Sequence, residues 1–162
     1  MAGIRLDVPR VAQSRSMSCW YAAAAMVGYY YEQGPRLGLP QVWIDNTGIF
    51  PDKIAELARH ESMSFLTAAS HEFSPGTLIS TIFKYGPIWA PGWWDGYGHV
   101  VVITGCAVTS GGANRVFIND PDGGVAREIT VDILNTKRAR GLLLVRNPRT
   151  IPNGHRHRFL SW

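Results

Sequence analysis

The sequence predicts an α+β fold, with helices in the first half of the chain and a mostly antiparallel sheet in the second. An alanine-rich helical stretch follows Cys19, and two later segments before Gly86 repeat apolar residues with helical spacing. Short β-branched runs separated by turn residues come afterwards. Helices followed by strands are typical of an α+β domain. A chain of 162 residues, 46% hydrophobic and 17% charged, is most simply one globular domain.

The helical half begins after an extended lead-in over residues 1–12, where Pro9 disfavours helix. Ser16 or Ser18 can cap the first helix, which Gly34 and the following proline end. Residues 36–50 are rich in Gly, Pro and Asn and predict a loop. The predicted helices cover residues 16–32, 51–59 and 74–85, and a short fourth helix covers 131–136.

The strand half consists of short segments bounded by glycine, proline and aspartate. We expect the domain to end near Arg146. Residues 147–162, which contain two prolines and a glycine, predict a basic C-terminal tail. The predicted strands cover residues 88–90, 99–106, 115–119, 125–129 and 141–146.

Cys19 lies where a loop gives way to the first helix. The unpaired N–H groups of a helix N-terminus favour a thiolate, which is the reactive form of cysteine. Cys19 is therefore the candidate nucleophile, although a buried, inert cysteine is the alternative. Cys106 alternates with apolar residues in a predicted strand and is expected in the core. Gln13, six positions before Cys19, is the candidate side-chain donor to an oxyanion, together with the Cys19 N–H.

His99 opens a predicted strand and is the candidate general base, with a structural histidine as the alternative. Asp120 ends another strand and can orient the imidazole. Asn119 is its neighbour, and adjacent strand residues point to opposite faces, so only one of the two can face His99. We prefer Asp120. The remaining histidines lack a polar partner pattern or lie in the basic tail. They are His60, His71, His155 and His157. The sequence shows no ligand spacing for a metal.

The aromatic residues before His99 have two open interpretations. Trp93, Trp94 and Tyr97 can line a substrate cleft or a partner surface, or they can be core beneath the sheet. Gly98 leaves room for a substrate backbone to approach His99.

The charge pattern and the apolar runs limit the partners. The net charge is +4, and no acidic residue follows Asp132, so the basic end is a solvated face or a contact for an acidic partner. The aromatic-interleaved basic motifs of RNA-binding modules are absent, and no nucleic-acid partner is expected. The longest apolar runs are too short to span a bilayer. Two cysteines do not make a disulfide framework, and a free Cys19 suits a reducing compartment.

The sequence resembles the papain-like cysteine peptidases, and within them the small bacterial branch of effector proteases and double-glycine leader peptidases. The resemblance covers roughly residues 8–146. It is carried, in order, by Val8-Pro9-Arg10-Val11-Ala12-Gln13, Met17-Ser18-Cys19-Trp20-Tyr21-Ala22-Ala23, Gly86-Pro87-Ile88-Trp89, Gly98-His99-Val100-Val101-Val102 and Asn119-Asp120-Pro121-Asp122-Gly123-Gly124.

The resemblance implies an N-terminal helical lobe carrying Cys19 and a C-terminal antiparallel β lobe carrying His99 and Asp120. It implies a protease that works through an acyl-enzyme without a cofactor, as a secreted or delivered effector or interbacterial toxin in a target-cell cytoplasm. Cleavage after glycine and a cognate immunity or inhibitor protein are further expectations. The same residues also serve peptidoglycan amidases, deamidases and acyltransferases, and a catalytically silent binding domain is a second alternative.

Overall fold

A computed structural model describes residues 2–31, 48–67 and 71–146 with their side chains, and the backbone of residues 157–161. The predicted end of the first helix at Gly34, most of the loop over 36–50 and the tail residues 147–156 lie outside the described residues. The described part combines helices with an antiparallel sheet, as the sequence predicts. None of the helices in this part is long and apolar enough to cross a membrane.

The elements follow one another from a first strand through alternating helices and strands. The helices are α1 (Cys19–Tyr31), α2 (Pro51–His60), α3 (Pro75–Tyr85) and α4 (Val131–Lys137). The strands are β1 (Ala2–Leu6), β2 (Met63–Phe65), β3 (Ile88–Gly92), β4 (His99–Val108), β5 (Asn114–Asp120), β6 (Val125–Ile129), β7 (Leu144–Arg146) and β8 (His157–Ser161).

The helix boundaries follow from capping residues. The side chain of Ser74 accepts a hydrogen bond from the Thr77 N–H, and the two residues form a capping box at the start of α3. Thr130 caps α4 through a bond from the Ile133 N–H. Helix α2 starts with Pro51 at its first position, where the missing N–H costs nothing. The four predicted helices are therefore confirmed within the described residues.

The eight strands form one antiparallel sheet in which β4 is central. Its order is β2-β7-β3-β4-β1-β8, and β5 and β6 extend from β4 as a hairpin. The first part of β4 pairs with β3, and its last four residues pair with β1. Because β4 carries His99 at its start and β5 carries Asp120 at its end, this pairing brings the two residues to the same edge of the sheet.

Three strands differ from the sequence prediction. Residues 2–6 are a strand paired with β4 and β8, where an extended lead-in was expected. Residues 63–65 pair with β7 and were not predicted as a strand. Residues 157–161 pair with β1, so this part of the predicted tail belongs to the sheet. Each of these strands is short or lacks a clear alternation of apolar and polar residues. Its conformation is therefore decided by pairing with a strand that is distant in the sequence.

Helix α1 packs its alanine-rich surface against the sheet. Ala22 to Ala25 are all buried, as are Trp20 and Met26. Small side chains let the helix approach the strands closely. The indole Nε1 of buried Trp89 donates a 3.0 Å hydrogen bond to the carbonyl of Trp20. This bond fixes the first turn of α1, which carries Cys19, against β3.

Candidate active site

Cys19 is the first residue of α1 and is partly exposed. The carbonyl of Ser18 accepts the hydrogen bond from the Ala22 N–H, so Ser18 precedes the first full turn. The Ser18 hydroxyl both accepts from the Arg15 N–H and donates to the Arg15 carbonyl, at 3.0 Å each. These bonds close a tight turn immediately before Cys19. The thiol therefore stands on an ordered helix N-terminus, as the sequence predicts.

His99 is buried, and two of the predicted residues act on it. Its Nε2 lies 2.7 Å from the Asp120 Oδ1, and Cys19 is near enough to help raise the pKa of the ring. A carboxylate only accepts hydrogen bonds, so Nε2 carries the proton of this bond. Nδ1 is then the nitrogen left for the thiol. The structure thus brings the three predicted residues into one group.

The carboxylate of Asp120 is fully bonded although only 2% of its side chain is exposed. Oδ1 accepts from His99 and from the Asp122 N–H, the latter at 2.9 Å. Oδ2 accepts from Arg127 Nη1 at 2.6 Å. A buried carboxylate held by three donors is fixed in orientation and stays ionised. Asp120 is therefore suited to orient an imidazole and to stabilise its charged form.

The charges around the site favour an ion pair between protonated His99 and ionised Asp120. Burial disfavours the imidazolium of His99, but the hydrogen bond with Asp120 and the proximity of Cys19 outweigh burial and raise the pKa of His99 to about 9. Burial also works against the Asp120 anion, and the bonds from His99 and Arg127 nevertheless hold the pKa of this carboxyl below its ordinary value. At neutral pH the imidazole is consequently protonated beside the thiol.

Asn119 points elsewhere, as expected from the alternation of a strand. Its Nδ2 donates a 3.0 Å bond to the carbonyl of Val8. Cys106 is fully buried, and burial raises the pKa of its thiol to about 11. The two cysteines are free and lie in opposite settings, one beside a protonated imidazole and one in the core.

Gln13 is bound to the loop that leads to Cys19. Its Nε2 donates to the carbonyls of Arg15 at 2.9 Å and Ser16 at 3.0 Å. Its Oε1 is buried and finds no hydrogen-bond partner among the residues that the structure describes. Both amide hydrogens are occupied, so donation to an oxyanion requires the side-chain amide to rotate. Catalytic hydrogen bonds often form only in the substrate complex.

The turn after Asp120 also supports the Gln13 segment. The carbonyl of Pro121 accepts a 2.8 Å bond from the Gln13 N–H. Gly124 has a φ of +62°, and a Cβ placed there would lie 3.1 Å from the backbone nitrogen of Ala12. Only glycine combines this conformation with so close an approach. The β5–β6 turn therefore positions the predicted oxyanion donor and the predicted orienting carboxylate together.

The aromatic residues before His99 divide into two groups. Trp93 is 66% exposed and Tyr97 is 50% exposed, with the Tyr97 ring 5.9 Å from the His99 ring. Trp94 is only 4% exposed, and its indole donates to the Ala90 carbonyl at 3.0 Å. Trp94 is thus a core residue, which agrees with the second of the two interpretations open from the sequence and not with a substrate-contacting role. Gly98 has open space where a Cβ would stand, because no described atom lies within 4 Å of that point.

Asp95, His99 and Asp120 place potential ligand atoms within 4.8 Å of one another. Arg127, however, already bridges the two carboxylates. A cation there would have to displace the guanidinium, so the group is explained by ion pairing.

A family model of the papain-like cysteine protease AvrRpt2 matches residues 2–139. The chain belongs to this family. It is therefore a cysteine peptidase, a hydrolase that acts on peptide bonds, and the resemblance to a bacterial effector peptidase is confirmed. The matched region spans every element from β1 to α4 and includes all four residues predicted for catalysis. A papain-like cysteine protease implies a protein substrate.

Two residues of this site were not foreseen from the sequence. Arg127 and Asp95 extend the hydrogen-bond chain beyond Asp120, with Arg127 donating to both carboxylates. A usable signal did exist for Arg127. The tight turn over residues 121–124 predicts a hairpin, and its register places Arg127 opposite Ile118, on the same face as Asp120.

Proposed function

We propose that this peptidase cleaves a specific protein by a Cys19–His99–Asp120 mechanism that passes through an acyl-enzyme. The observation that carries the proposal is the buried His99, whose Nε2 lies 2.7 Å from Asp120 and whose pKa is raised by both Asp120 and Cys19. This is the nucleophile, base and orienting group of the general triad arrangement. From the family we expect a helix to carry the nucleophile and strands to carry the base and the orienting group.

In the first half-reaction the Cys19 thiolate attacks the scissile carbonyl carbon. A C–S bond forms, and the carbonyl electrons move onto oxygen as an oxyanion. The oxyanion collapses, the C–N bond breaks, and His99 gives its proton to the departing amine. Because the bond to Asp120 favours the protonated imidazole, His99 keeps this proton until the C–N bond breaks and the amine accepts it.

In the second half-reaction His99 takes a proton from water. The resulting hydroxide equivalent attacks the thioester carbon, the C–S bond breaks, and the carboxylic acid product leaves with the thiolate restored. We propose the Cys19 N–H and the rotated amide of Gln13 as donors to both oxyanions. Loss of one such donor typically costs about 2.7–4 kcal/mol of transition-state stabilisation.

We propose a preference for glycine before the cut. Gly98 adjoins the base and leaves open space, so a substrate backbone without a side chain can lie close to Cys19. The exposed Trp93 and Tyr97 lie on the loop that leads to Gly98 and can contact a neighbouring apolar side chain of the substrate. Trp94 is omitted from this surface because it is buried.

We propose an effector role in the cytoplasm of a target cell. The support is the family, whose model describes a bacterial effector protease, and the free, partly exposed Cys19, which remains reduced in a cytosol. A tight inhibitor or immunity protein in the producing cell would follow from such a role, and the basic sequence after Asp132 supplies positive charges that an acidic inhibitor could contact.

The test is expression of the wild type and of Cys19→Ala in bacterial and eukaryotic cytoplasm, followed by proteome-wide mapping of new protein N-termini. We expect wild-type-specific termini preceded by glycine, which are lost in Cys19→Ala and in His99→Ala. Termini that are equal in all three would contradict the mechanism. Digestion of purified cell wall without proteolysis would replace this proposal with an amidase.

A further inference from the structure

Arg127 links the proposed catalytic carboxylate to the loop between β3 and β4. Its Nη1 donates to Asp120 Oδ2 at 2.6 Å and to Asp95 Oδ2 at 3.3 Å, and its Nη2 donates to Asp95 Oδ1 at 3.2 Å. Arg127 comes from β6, Asp120 from β5, and Asp95 from the loop that carries Trp93 and Tyr97. One guanidinium thus joins three separate parts of the chain.

We propose that Arg127 is a positioning residue that fixes the Asp120 carboxylate for His99 and holds the β3–β4 loop beside it. This inference rests on the proposed function, because it assigns Arg127 a role through the same Cys19–His99–Asp120 group.

The two carboxylate oxygens of Asp120 bind different partners. Oδ1 serves His99 and the Asp122 N–H, whereas Arg127 is the donor to Oδ2. Without Arg127, the buried Oδ2 loses its charged donor, and the carboxylate is held only by the two hydrogen bonds to Oδ1. A planar guanidinium with two separated N–H groups can bond both carboxylates at once, which a single ammonium group cannot reproduce.

The loop is held at a second point by α4. Lys137 Nζ donates to the Trp94 carbonyl at 2.9 Å, and the Lys137 carbonyl accepts from the Trp93 N–H at 2.8 Å. These bonds fix the start of the loop, and the Arg127–Asp95 pair fixes its middle. The exposed rings of Trp93 and Tyr97 are thereby held in a set position relative to His99.

The charge of Arg127 has a measurable consequence of known sign. A positive charge near the thiol and the imidazole favours the deprotonated form of both groups, and the negative charge of Asp95 partly cancels this effect. The other titratable groups around them are Asp120, Asp122 and Tyr97 on the flanking turns, with Lys137 on α4 beside the loop. A unit charge about 7 Å away shifts a pKa by about half a unit even at the dielectric constant of water.

The experiment compares Arg127→Met, Arg127→Lys and Asp95→Asn in the full chain. Two properties are measured against pH: the NMR titration of the His99 ring and the rate of Cys19 alkylation by iodoacetamide. Arg115→Met is the matched control, because Arg115 lies on β5 in an exposed ion pair with Glu128 at 3.8 Å. Cleavage is followed on a substrate found by mapping of new N-termini.

We expect Arg127→Met to move the His99 titration and the alkylation profile to higher pH by about half a unit or more. Asp95→Asn should move both to lower pH, because it removes the opposite charge. Arg127→Lys should keep the wild-type pH profile and yet reduce cleavage at least about tenfold, since misplacement of a catalytic group alone is that costly. Arg115→Met should match the wild type in all three measurements.

An unshifted titration in Arg127→Met, or shifts of the same sign in Arg127→Met and Asp95→Asn, would overturn the positioning role. The opposite signs also separate this role from a loss of folding, which would move both variants alike. If the wild type shows no Cys19-dependent cleavage, the proposed function fails on its own, and the His99 titrations still report on Arg127.

Discussion

Replacement of Asp120 by asparagine isolates the electrostatic role of the carboxylate with little change of shape. The amide oxygen can still accept from His99 Nε2, but the negative charge is lost, and Arg127 then faces a neutral group. Both changes disfavour the imidazolium. The pKa of His99, about 9 in the intact site, should therefore fall, and an opposite charge at this distance typically accounts for at least about one unit.

The raised pKa of His99 also contributes to the free energy of unfolding. The pKa of His99 is about 9 when folded against a reference of 6.5, which corresponds to about 3 kcal/mol of preference for the imidazolium. Because the folded pKa is raised, this stabilisation is complete below pH 6.5 and is lost as the pH rises through 9. In Asp120→Asn the loss over this window should shrink by about 1.4 kcal/mol or more.

The assay is an NMR titration of the His99 ring, with urea unfolding at pH 6 and pH 9.5 for both proteins. The comparison between the proteins cancels the titration of other groups. Asn119→Ala is the control, because it removes the 3.0 Å bond to Val8 and leaves the Asp120 carboxylate in place. A His99 pKa still near 9 in Asp120→Asn, or one lowered equally by Asn119→Ala, would refute the reasoning.

Three further variants test the surroundings of the site. Gly98→Ala should fold normally, because no described atom lies within 4 Å of the added methyl group, and yet should raise KM for a glycine-containing substrate; Gly111→Ala, in the open β4–β5 turn, is the control, and equal KM values would contradict the substrate role. Trp89→Phe removes the indole hydrogen bond to the Trp20 carbonyl and should lower the free energy of unfolding by about 0.5–1.5 kcal/mol, measured by urea titration. Gly124→Ala should reduce cleavage more than Gly123→Ala, although both have positive φ, because only the former contacts the Gln13 segment, and a reversed order would argue against that support.

Much of the site was predictable because its residues carry local signals. Cys19 lies at a loop-to-helix junction and His99 opens an aliphatic strand, and both signals are contained within a few neighbouring residues. Alternation along a strand allowed only one of Asp120 and Asn119 to face His99, and the resemblance to the family favoured Asp120. The structure places the two side chains against different partners.

The parts that were missed depend on partners distant in the chain. Strands β1 and β8 lie at opposite ends of the sequence and pair with each other, so neither is specified by its own residues. The burial of Trp94 is decided by packing beneath the loop, since its sequence context is the same as that of exposed Trp93. Arg127 and Asp95 are 32 positions apart, and only the register of the β5–β6 hairpin and the path of the loop bring them together.

The most direct test of the account is competitive labelling of the two thiols by iodoacetamide at neutral pH, read by mass spectrometry of the digested protein. Cys19 should be modified far faster than Cys106, whose pKa burial raises to about 11, and His99→Ala should remove most of the difference. The account is contradicted if the two thiols of the native wild type react equally, or if His99→Ala leaves the rate at Cys19 unchanged.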